Sequence, residues 1–408
     1  MRILFVADDL YPGFGGQARA TEGHIAALVQ RGHEVVALAG AESRPTRPPQ
    51  GVSVERLPSW RLGEAQTRFA HPLFSRIRPL VEWADVVHAN TPAATTAAVT
   101  IVARRLGVPV VMGVHTQLET STLQAPILGP LLRGLLTTWY GMLFRAADAL
   151  TAPTHFAAQT ARAFSDGRIE VVSNGLDLGS WLALDPRKRA GEVRRLAYVG
   201  RLSPEKRPQD LLDLMAALPE AYHLSVCGEG PLEGPLRSAI DARGLGDRVA
   251  LLGYLSEDDK RALLCETELF VMPSPAELQS IATLEAMAAG CAVAAVGHDS
   301  SAVPRLVTEA GAGIVLPVGD ARAQADDVVT LLDDRTELAW AQASARRYAA
   351  SHDVAVSAER LEALYEELIA ARAGSTARRR AARQAGGPSV AMARGPEARG
   401  PSVARERR

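Results

Sequence analysis

Short runs rich in valine, isoleucine and leucine recur through this chain between stretches of helical spacing, and they constrain its fold more than any other feature. Six runs lie at residues 3–7, 35–39, 86–88, 108–114, 149–152 and 169–173, and six more at 196–199, 224–227, 249–252, 269–272, 292–296 and 314–316. Such runs are typical of parallel strands buried on both faces. The pattern predicts two α/β domains in tandem, each a doubly wound, Rossmann-like sheet.

The domain limits follow from the length and from a polar interval between the two sets of runs. A chain of 408 residues is too long for one ordinary core, since single cores rarely grow beyond about 250–300 residues. We place the first domain at residues 1–190 and the second at 191–355. Residues 356–371 form an amphipathic helix that is expected to pack back across the domains. Residues 372–408 are rich in Arg, Gly, Pro and Ala, and we predict that they are disordered.

Composition excludes several classes of protein. The three cysteines, Cys227, Cys265 and Cys291, are far apart in the sequence, so neither a disulfide framework nor a zinc site is indicated. The first residues, MRILFVADDL, lack the features of a signal peptide. No apolar stretch reaches the roughly 18 residues of a membrane span. We therefore expect a cytoplasmic protein whose contact with a membrane is peripheral.

Charge is unevenly distributed along the chain. The net charge of the whole chain is −1, but residues 372–408 contain ten arginines and two glutamates. A basic tail attracts anionic lipid headgroups, although an inert solvated tail is the simpler interpretation. Nucleic-acid binding is not favoured, because that function needs basic residues and aromatic platforms on the folded part as well, and aromatic residues make up 5% of the chain.

Glycines and histidines follow the first set of runs, at the sheet edge where ligands bind in folds of this kind. Gly13, Gly15 and Gly16 follow the first run, but their spacing is not the GxGxxG of dinucleotide-binding oxidoreductases. A tight turn explains such glycines equally well. His88 and His115 fall at or just after the ends of two other runs. We favour His115 as functional, because the polar sequence HTQ is difficult to satisfy inside a core.

Three loops after runs of the second set contain residues suited to a nucleotide. Arg201 and Lys206 lie in GRLSPEK, Glu229 lies between two glycines in CGEGPL, and Tyr254 lies in LLGYLS. Two cations on one loop can bracket a diphosphate, arginine by its planar fork and lysine as a point charge. Each motif alone is also an ordinary turn. Their succession at strand ends of one domain favours a nucleotide site.

Residues 273–290, PSPAELQSIATLEAMAAG, place two glutamates beside a helix start. The start of a helix offers unpaired backbone N–H groups and the positive end of the helix dipole, which attract phosphate. A carboxylate repels phosphate, so Glu277 and Glu285 are better interpreted as acceptors for hydroxyl groups. The segment therefore indicates a ligand with both phosphate and hydroxyl groups, such as a nucleotide sugar.

Taken in order, these motifs resemble those of a known family. The GG pair at residues 15–16, HTQ, SNGLD at 173–177, GRLSPEK, CGEGPL, LLGYLS and two glutamates separated by seven residues are similar to the retaining glycosyltransferases of family 4 (glycosyl transferases group 1). The resemblance covers roughly residues 1–371. It implies the GT-B fold, in which two Rossmann-like domains face each other across a cleft. The first domain would bind mainly the acceptor, and the second the nucleotide sugar.

The resemblance also implies roles for the candidate residues. Arg201 and Lys206 would hold the donor diphosphate. Glu285 would bind the ribose, Glu277 would bind hydroxyls of the transferred sugar, and His115 would lie at the reaction centre. The other donor-binding residues would be Gly16 from the first domain, Glu229 and Tyr254, and the backbone N–H groups of Gln279, Ser280, Ile281 and Ala282.

Catalysis is expected to need neither a metal nor another cofactor. The chain lacks the Asp-x-Asp triplet that holds a metal in the other common glycosyltransferase fold. The resemblance implies a retaining outcome by front-face attack of the acceptor hydroxyl, and no residue is an obvious covalent nucleophile. Two departures from the family pattern stand out. Asn90 replaces a frequent second histidine, and Leu278, Gln279 and Ser280 replace a frequent Gly-Phe-Gly.

The acceptor is less well determined than the donor. Residues 118–150 include an apolar helix face that forms either a core helix or a surface near a lipid. Its residues are Leu132, Leu135, Leu136, Trp139, Leu143 and Phe144.

We predict transfer of a hexosyl group to a diacylglycerol-type or other lipid acceptor at the cytoplasmic membrane face. A soluble sugar or natural-product acceptor and a nucleotide-sugar epimerase are the alternatives, and the nucleotide base and the oligomeric state are open.

Overall fold

Two parallel β-sheets form the framework of the molecule. The computed structural model describes residues 1–11, 15–41, 48–61, 68–115, 129–184 and 193–385. In spatial order, the seven strands of the first sheet are β3 (Val52–Leu57), β2 (Glu34–Gly40), β1 (Arg2–Val6), β6 (Val86–Ala89), β7 (Val110–Gly113), β8 (Ala149–Ala152) and β9 (Ile169–Val171). The six strands of the second sheet are β12 (Val249–Gly253), β11 (Tyr222–Cys227), β10 (Arg194–Val199), β13 (Leu269–Met272), β14 (Ala292–Val296) and β15 (Gly313–Leu316).

The strand order reverses beside the first strand of each sheet. In the first sheet β1 lies between β2 and β6, and in the second β10 lies between β11 and β13. All these pairs are parallel. A crevice opens beyond the carboxyl ends of the strands at such a reversal, and ligands bind there in sheets of this type. The predicted doubly wound α/β architecture is confirmed, and the loops after β1, β6, β10 and β13 mark the expected ligand site.

Helices cover both faces of each sheet. The helices that precede β10 are α1 (Gly15–Gln30), α2 (Phe74–Trp83), α3 (Ala94–Leu106), α4 (Gly129–Ala146), α5 (His155–Arg162) and α6 (Leu178–Leu182). A 3-10 turn at Pro204–Lys206 follows β10. The later helices are α7 (Asp210–Ala217), α8 (Glu233–Ala242), α9 (Glu257–Glu266), α10 (Ile281–Ala288), α11 (Val303–Ala310), α12 (Ala321–Asp333), α13 (Arg335–Ala350) and α14 (Val354–Ala385).

Helix α14 returns from the second domain and completes the core of the first. Its apolar residues Leu361, Leu364 and Tyr365 are buried in the same cluster as Phe5 and Ile25. Where the chain crosses back, Leu176 N donates to His352 O at 2.9 Å, and Val354 N donates to Leu176 O at 2.9 Å. The two crossing segments therefore run side by side.

Helix α14 is longer than the sequence predicts. We expected a helix at residues 356–371 and disorder from residue 372, but the helix runs from Val354 to Ala385. Residues 372–385 are mostly alanine and arginine, both strong helix formers, and the preceding turns supply a helix for them to extend. Arg372 pairs with Asp148 of the first domain. The rest of the predicted tail, residues 386–408, lies outside the described residues.

Two further features differ from expectation. Strand β3 was not predicted from the sequence, and neither was a small antiparallel hairpin formed by β4 (Ser59–Arg61) and β5 (Arg68–Ala70). Strand β3 lies at the sheet edge, and four of its six residues are partly or fully exposed, so it has no continuous apolar run to identify it. In addition, Leu178 and Trp181 pack into the core of the second domain, although the predicted boundary places them in the first.

The structure buries one part of the predicted apolar helix face and exposes another, so a core role is confirmed for the buried part and a surface near a lipid stays a prediction. Leu143 and Phe144 are buried in the core, whereas Leu135 of the same helix, α4, is 62% exposed. Trp139 is partly buried, and its indole N–H donates to Pro92 O at 2.7 Å. The side chain of Leu132 lies outside the described part of the chain. Among the described residues, no helix is both long and apolar enough to span a membrane.

Candidate active site

The predicted diphosphate cation Lys206 and the predicted sugar-binding acid Glu277 meet at the crevice of the second sheet. Lys206 lies in the 3-10 turn after β10, and Glu277 lies in the loop after β13. Lys206 Nζ is 2.6 Å from Glu277 Oε1, and both side chains are largely buried. Arg201 Nε is also buried, and it makes no hydrogen bond within the described residues. The site thus contains a paired cation, and Arg201 lies on the same loop after β10.

The start of α10 adjoins this pair. Ser280 caps the helix, and its hydroxyl accepts a hydrogen bond from Thr283 N at 3.2 Å. Ser280 has a φ of 68°, which is costly for a residue with a side chain and is common at functional sites. A β-carbon placed on Gly16 would lie 3.9 Å from Ile281 Cδ1. Gly16 of the first domain therefore lies near the helix start, and its contact with a donor stays a prediction.

The side chain of Gln279 has a different role from the donor contact expected of this segment. It is 1% exposed, its Nε2 donates to Ser173 Oγ at 2.8 Å, and its Oε1 accepts from Asn174 N at 2.9 Å. Leu278 O also accepts from Thr154 Oγ1 at 2.7 Å. The segment that departs from the family pattern therefore joins the two domains. Donor binding by the backbone N–H of Gln279 stays a prediction.

Glu285 lies in a buried cluster of charges. Its Oε1 is 2.7 Å from Lys260 Nζ and 4.0 Å from a guanidinium nitrogen of Arg19 in the first domain. Arg19 also contacts Glu257 at 2.5 Å. Burial raises the pKa of Glu285, and the charge of Lys260 opposes this shift. Arg19 and Lys260 were not predicted as site residues, because arginines and lysines in helical segments are usually solvated surface residues.

His115 and Asn90 converge on Gly113. A β-carbon placed on Gly113 would lie 2.3 Å from Asn90 Oδ1 and 2.6 Å from His115 Nε2. Asn90 is fully buried, and its Oδ1 lacks a hydrogen-bond partner in the part of the chain that is described. Burial and the neighbouring His24 lower the pKa of His115 to about 3. At neutral pH His115 is therefore an uncharged hydrogen-bonding group.

His88 does not face the cleft, contrary to the expectation from its position at a strand end. It is 1% exposed, and its Nδ1 shares a hydrogen bond with the hydroxyl of Tyr365 in α14. Burial lowers the pKa of His88 well below its ordinary value. His88 is thus a neutral residue of the core, where it holds the returning helix against β6.

Glu229 and Tyr254 lie at the ends of β11 and β12, and both are exposed. A β-carbon on Gly228 would lie 1.9 Å from Gly200 O. The glycines around Glu229 are therefore needed for close packing against the loop that contains Arg201, and their spacing does not by itself indicate a ligand.

Within the described ranges, no group of three or more His, Cys, Asp or Glu residues could hold a metal. The expectation of metal-independent catalysis stays a prediction.

Two family models together match most of the chain. The model for glycosyltransferase family 4 matches residues 14–180, and the model for glycosyl transferases group 1 matches residues 184–349. The chain belongs to the family 4 glycosyltransferases. The glycosyltransferase is similar in structure to Anabaena HepE in complex with UDP and glucose, with a TM-score of 0.71, 20% identity and coverage of 90% of this chain and 100% of that chain. The predicted GT-B fold is confirmed.

Curated relatives agree with this assignment. The glycosyltransferase is 27% identical to a GDP-mannose-dependent alpha-mannosyltransferase of Mycobacterium tuberculosis, over 84% of this chain and 90% of the relative. It is 34% identical to the GDP-mannose:cellobiosyl-diphosphopolyprenol alpha-mannosyltransferase of Xanthomonas campestris, over 42% of this chain and 45% of that relative. The second match covers less than half of either protein.

Substitution of Gly113 tests whether the packing around His115 is as tight as the structure indicates. Gly113→Ala should destabilise the glycosyltransferase by about 1–3 kcal/mol, since the new methyl group overlaps His115 and Asn90. Urea unfolding would measure the change. Gly134→Ala is the matched control, because a β-carbon on Gly134 in α4 would have no described atom within 4 Å apart from its chain neighbours and the backbone of its own helix, and it should stabilise by about 0.4–1 kcal/mol. Equal stabilities for Gly113→Ala and the wild type would contradict this packing.

Proposed function

We propose that this glycosyltransferase moves a hexosyl group from a nucleotide sugar to an acceptor hydroxyl with retention of configuration. The observation that carries the proposal is the ion pair of Lys206 and Glu277, from the loops after β10 and β13, with Glu277 just before the start of α10. Cations and backbone N–H groups there suit a diphosphate, and the adjacent carboxylate suits sugar hydroxyls. The relatives that use GDP-mannose and the neighbour that binds UDP support a nucleotide-sugar donor.

In the proposed mechanism, the bond between the sugar C1 and the diphosphate oxygen breaks with its electrons going to the diphosphate. Arg201, Lys206 and the N–H groups at the start of α10 stabilise the charge that develops, the effect that usually dominates at such sites. The acceptor oxygen bonds to C1 from the same face, and its proton passes to the departing phosphate oxygen. Neutral His115 holds the reacting sugar by hydrogen bonding. A trapped glycosyl-enzyme intermediate would overturn this mechanism.

Lys206 changes partners in this proposal. Its ammonium group pairs with Glu277, so each charge compensates the other. The diphosphate of a donor would attract Lys206, and the carboxylate of Glu277 would then accept hydrogen bonds from the sugar.

The proposed acceptor is a lipid or lipid-linked compound at the inner face of the cytoplasmic membrane. Leu135 and Met142 of α4 are 62% and 52% exposed, and they lie seven residues apart, on one face of the helix. Exposed apolar side chains on one helix face suit contact with a lipid surface. The relative that acts on a diphosphopolyprenol compound adds support.

Liposome binding tests the lipid proposal. The full chain should bind vesicles that contain anionic phospholipid. Replacing Leu135 and Met142 together with glutamate should weaken binding at least about tenfold, since burial of each side chain contributes about 1.5–3 kcal/mol. Val318→Glu is the control, because Val318 is 54% exposed but lies in the second domain. If the full chain does not bind vesicles, a soluble sugar or a natural-product acceptor becomes the leading proposal.

A donor screen separates the enzyme classes. Incubation with UDP-, GDP- and ADP-sugars in the absence of acceptor should give slow hydrolysis of one of them. An epimerised nucleotide sugar formed without any acceptor would favour the epimerase alternative instead.

A further inference from the structure

Lys260 is the most deeply buried lysine of the described residues, and the predicted catalytic roles do not use it. It lies on α9, its side chain is 6% exposed, and its Nζ is 2.7 Å from Glu285 Oε1. A second carboxylate, that of Glu257, is 3.1 Å away. The ring of Trp181 lies 5.7 Å from Nζ on another side. A lysine is seldom buried to this extent unless it is paired, and here its direct partner is the proposed ribose-binding residue.

The charges around Glu285 come from both domains. Lys260 and Glu257 belong to α9, whereas Arg19 reaches across from α1. Arg19 is bonded mainly to Glu257, at 2.5 Å, and is 4.0 Å from Glu285. Tyr254 interacts electrostatically with Arg19. Burial raises the pKa of the Cys227 thiol, and the charge of Glu285 contributes to this shift. Two cations thus balance two carboxylates, and Lys260 is the cation in direct contact with Glu285.

We propose that Lys260 is a positioning residue for donor binding, which keeps the buried carboxylate of Glu285 ionised and oriented toward the ribose hydroxyls. This inference rests on the proposed donor site. A carboxylate removed from water becomes protonated unless a nearby cation compensates its charge. A carboxylate has about four acceptor positions. Lys260 occupies one of them, which leaves others for two hydroxyl groups of a ribose.

A pH dependence follows from the loss of this cation. Without Lys260, burial would raise the pKa of Glu285 further, so that the carboxyl group would be protonated at a higher pH than in the wild type. A protonated carboxyl group loses acceptor capacity. In a variant without the cation, affinity for the ribose should therefore fall as the pH is lowered through the neutral range and recover as the pH is raised. The wild type should vary less over the same range.

The test is calorimetric titration of the full chain with UDP, GDP and ADP, followed by the 2′,3′-dideoxy form of the nucleotide that binds. In the wild type, loss of both ribose hydroxyls should weaken binding by roughly tenfold or more, since two hydrogen bonds to a charged group are lost. In Lys260→Met this ribose preference should fall to about threefold or less at pH 6.5 and increase toward pH 8.5. Lys260→Arg, which retains a cation, should restore most of the wild-type preference.

Arg261→Met is the matched control. Arg261 is the next residue of α9, pairs with exposed Asp258 and also lies over Trp181, and its ion pair is therefore separate from that of Glu285. The ribose preference of this variant should equal that of the wild type. If Lys260→Met fails to fold, Lys260→Gln takes its place with the same expected loss.

The outcomes separate this inference from the proposed function. If the wild type binds none of the three nucleotides, the proposed function fails. If the wild type binds and shows a ribose preference, but the uncharged Lys260 variant retains both that preference and the wild-type pH profile, the role assigned to Lys260 is wrong and the donor site stands.

Discussion

Replacing Lys206 with alanine should lower turnover of the nucleotide sugar by roughly a hundred- to a thousandfold, the usual effect of removing one group that stabilises transition-state charge. Lys206 Nζ is 2.6 Å from Glu277, and the proposed mechanism transfers this cation to the departing diphosphate. The fold should survive, because the side chain is 27% exposed and no apolar core depends on it. Steady-state kinetics and circular dichroism of the same preparation would measure both effects.

Arg243→Ala is the matched control for this substitution. Arg243 is a cation of the same domain that pairs with Asp213 at 2.6 Å, but it lies on the exposed surface, so its loss should leave turnover nearly unchanged. Glu277→Ala should be about as damaging as Lys206→Ala. Because the two residues act as a unit, the double variant should be scarcely slower than either single one. Turnover by Lys206→Ala within threefold of the wild type would remove Lys206 from the proposed site.

Replacing Tyr365 with alanine should destabilise the protein by about 3–5 kcal/mol, the usual cost of removing a large buried aromatic side chain. Tyr365 belongs to α14 but is fully buried in the first domain, where its hydroxyl bonds to His88. Its loss would leave a cavity beneath the sheet and an unpaired nitrogen on His88. Urea unfolding, monitored by fluorescence, would measure the loss of stability. The expected loss is a large part of the free energy of unfolding of an ordinary domain.

Tyr365→Phe separates the two parts of this effect. It keeps the ring and removes the hydroxyl, so it should cost about 1–3 kcal/mol, the penalty for leaving a buried polar group unpaired. The two variants should therefore differ clearly in stability. If Tyr365→Ala were as stable as the wild type, α14 would not contribute to the core of the first domain as described.

The sequence was sufficient for the fold and for the general location of the site. Every predicted run corresponds to a strand. Strands β7, β13 and β14 are buried along their whole length, and such strands are apolar because both faces of the sheet are covered. Strand β3 was not predicted because its sequence, VSVERL, mixes apolar and polar residues and has no continuous apolar run. The loops after β10 and β13 could be assigned to the site because a parallel sheet brings the carboxyl ends of its strands together.

Contacts between distant side chains could not be predicted in the same way. Lys206 and Glu277 are 71 residues apart in the chain, and their pairing depends on how far each loop extends from its strand. The domain-joining role of the Gln279 side chain and the burial of His88 against Tyr365 depend on contacts with the other domain or with the returning helix. The sequence around each residue gives no information about such long-range contacts. The roles given to the site residues therefore stay predictions until variants are measured.

The return of α14 to the first domain has a consequence for the order of events during synthesis. The first domain leaves the ribosome before the second, yet Leu361, Leu364 and Tyr365, which complete its core, follow the second domain in the sequence. Domains generally fold as units when all their residues are available. The first domain should therefore remain incomplete, with apolar surface uncovered, until the second domain and residues 361–365 have been translated. A chimaera that exchanges the first domain between relatives would need to take α14 with it.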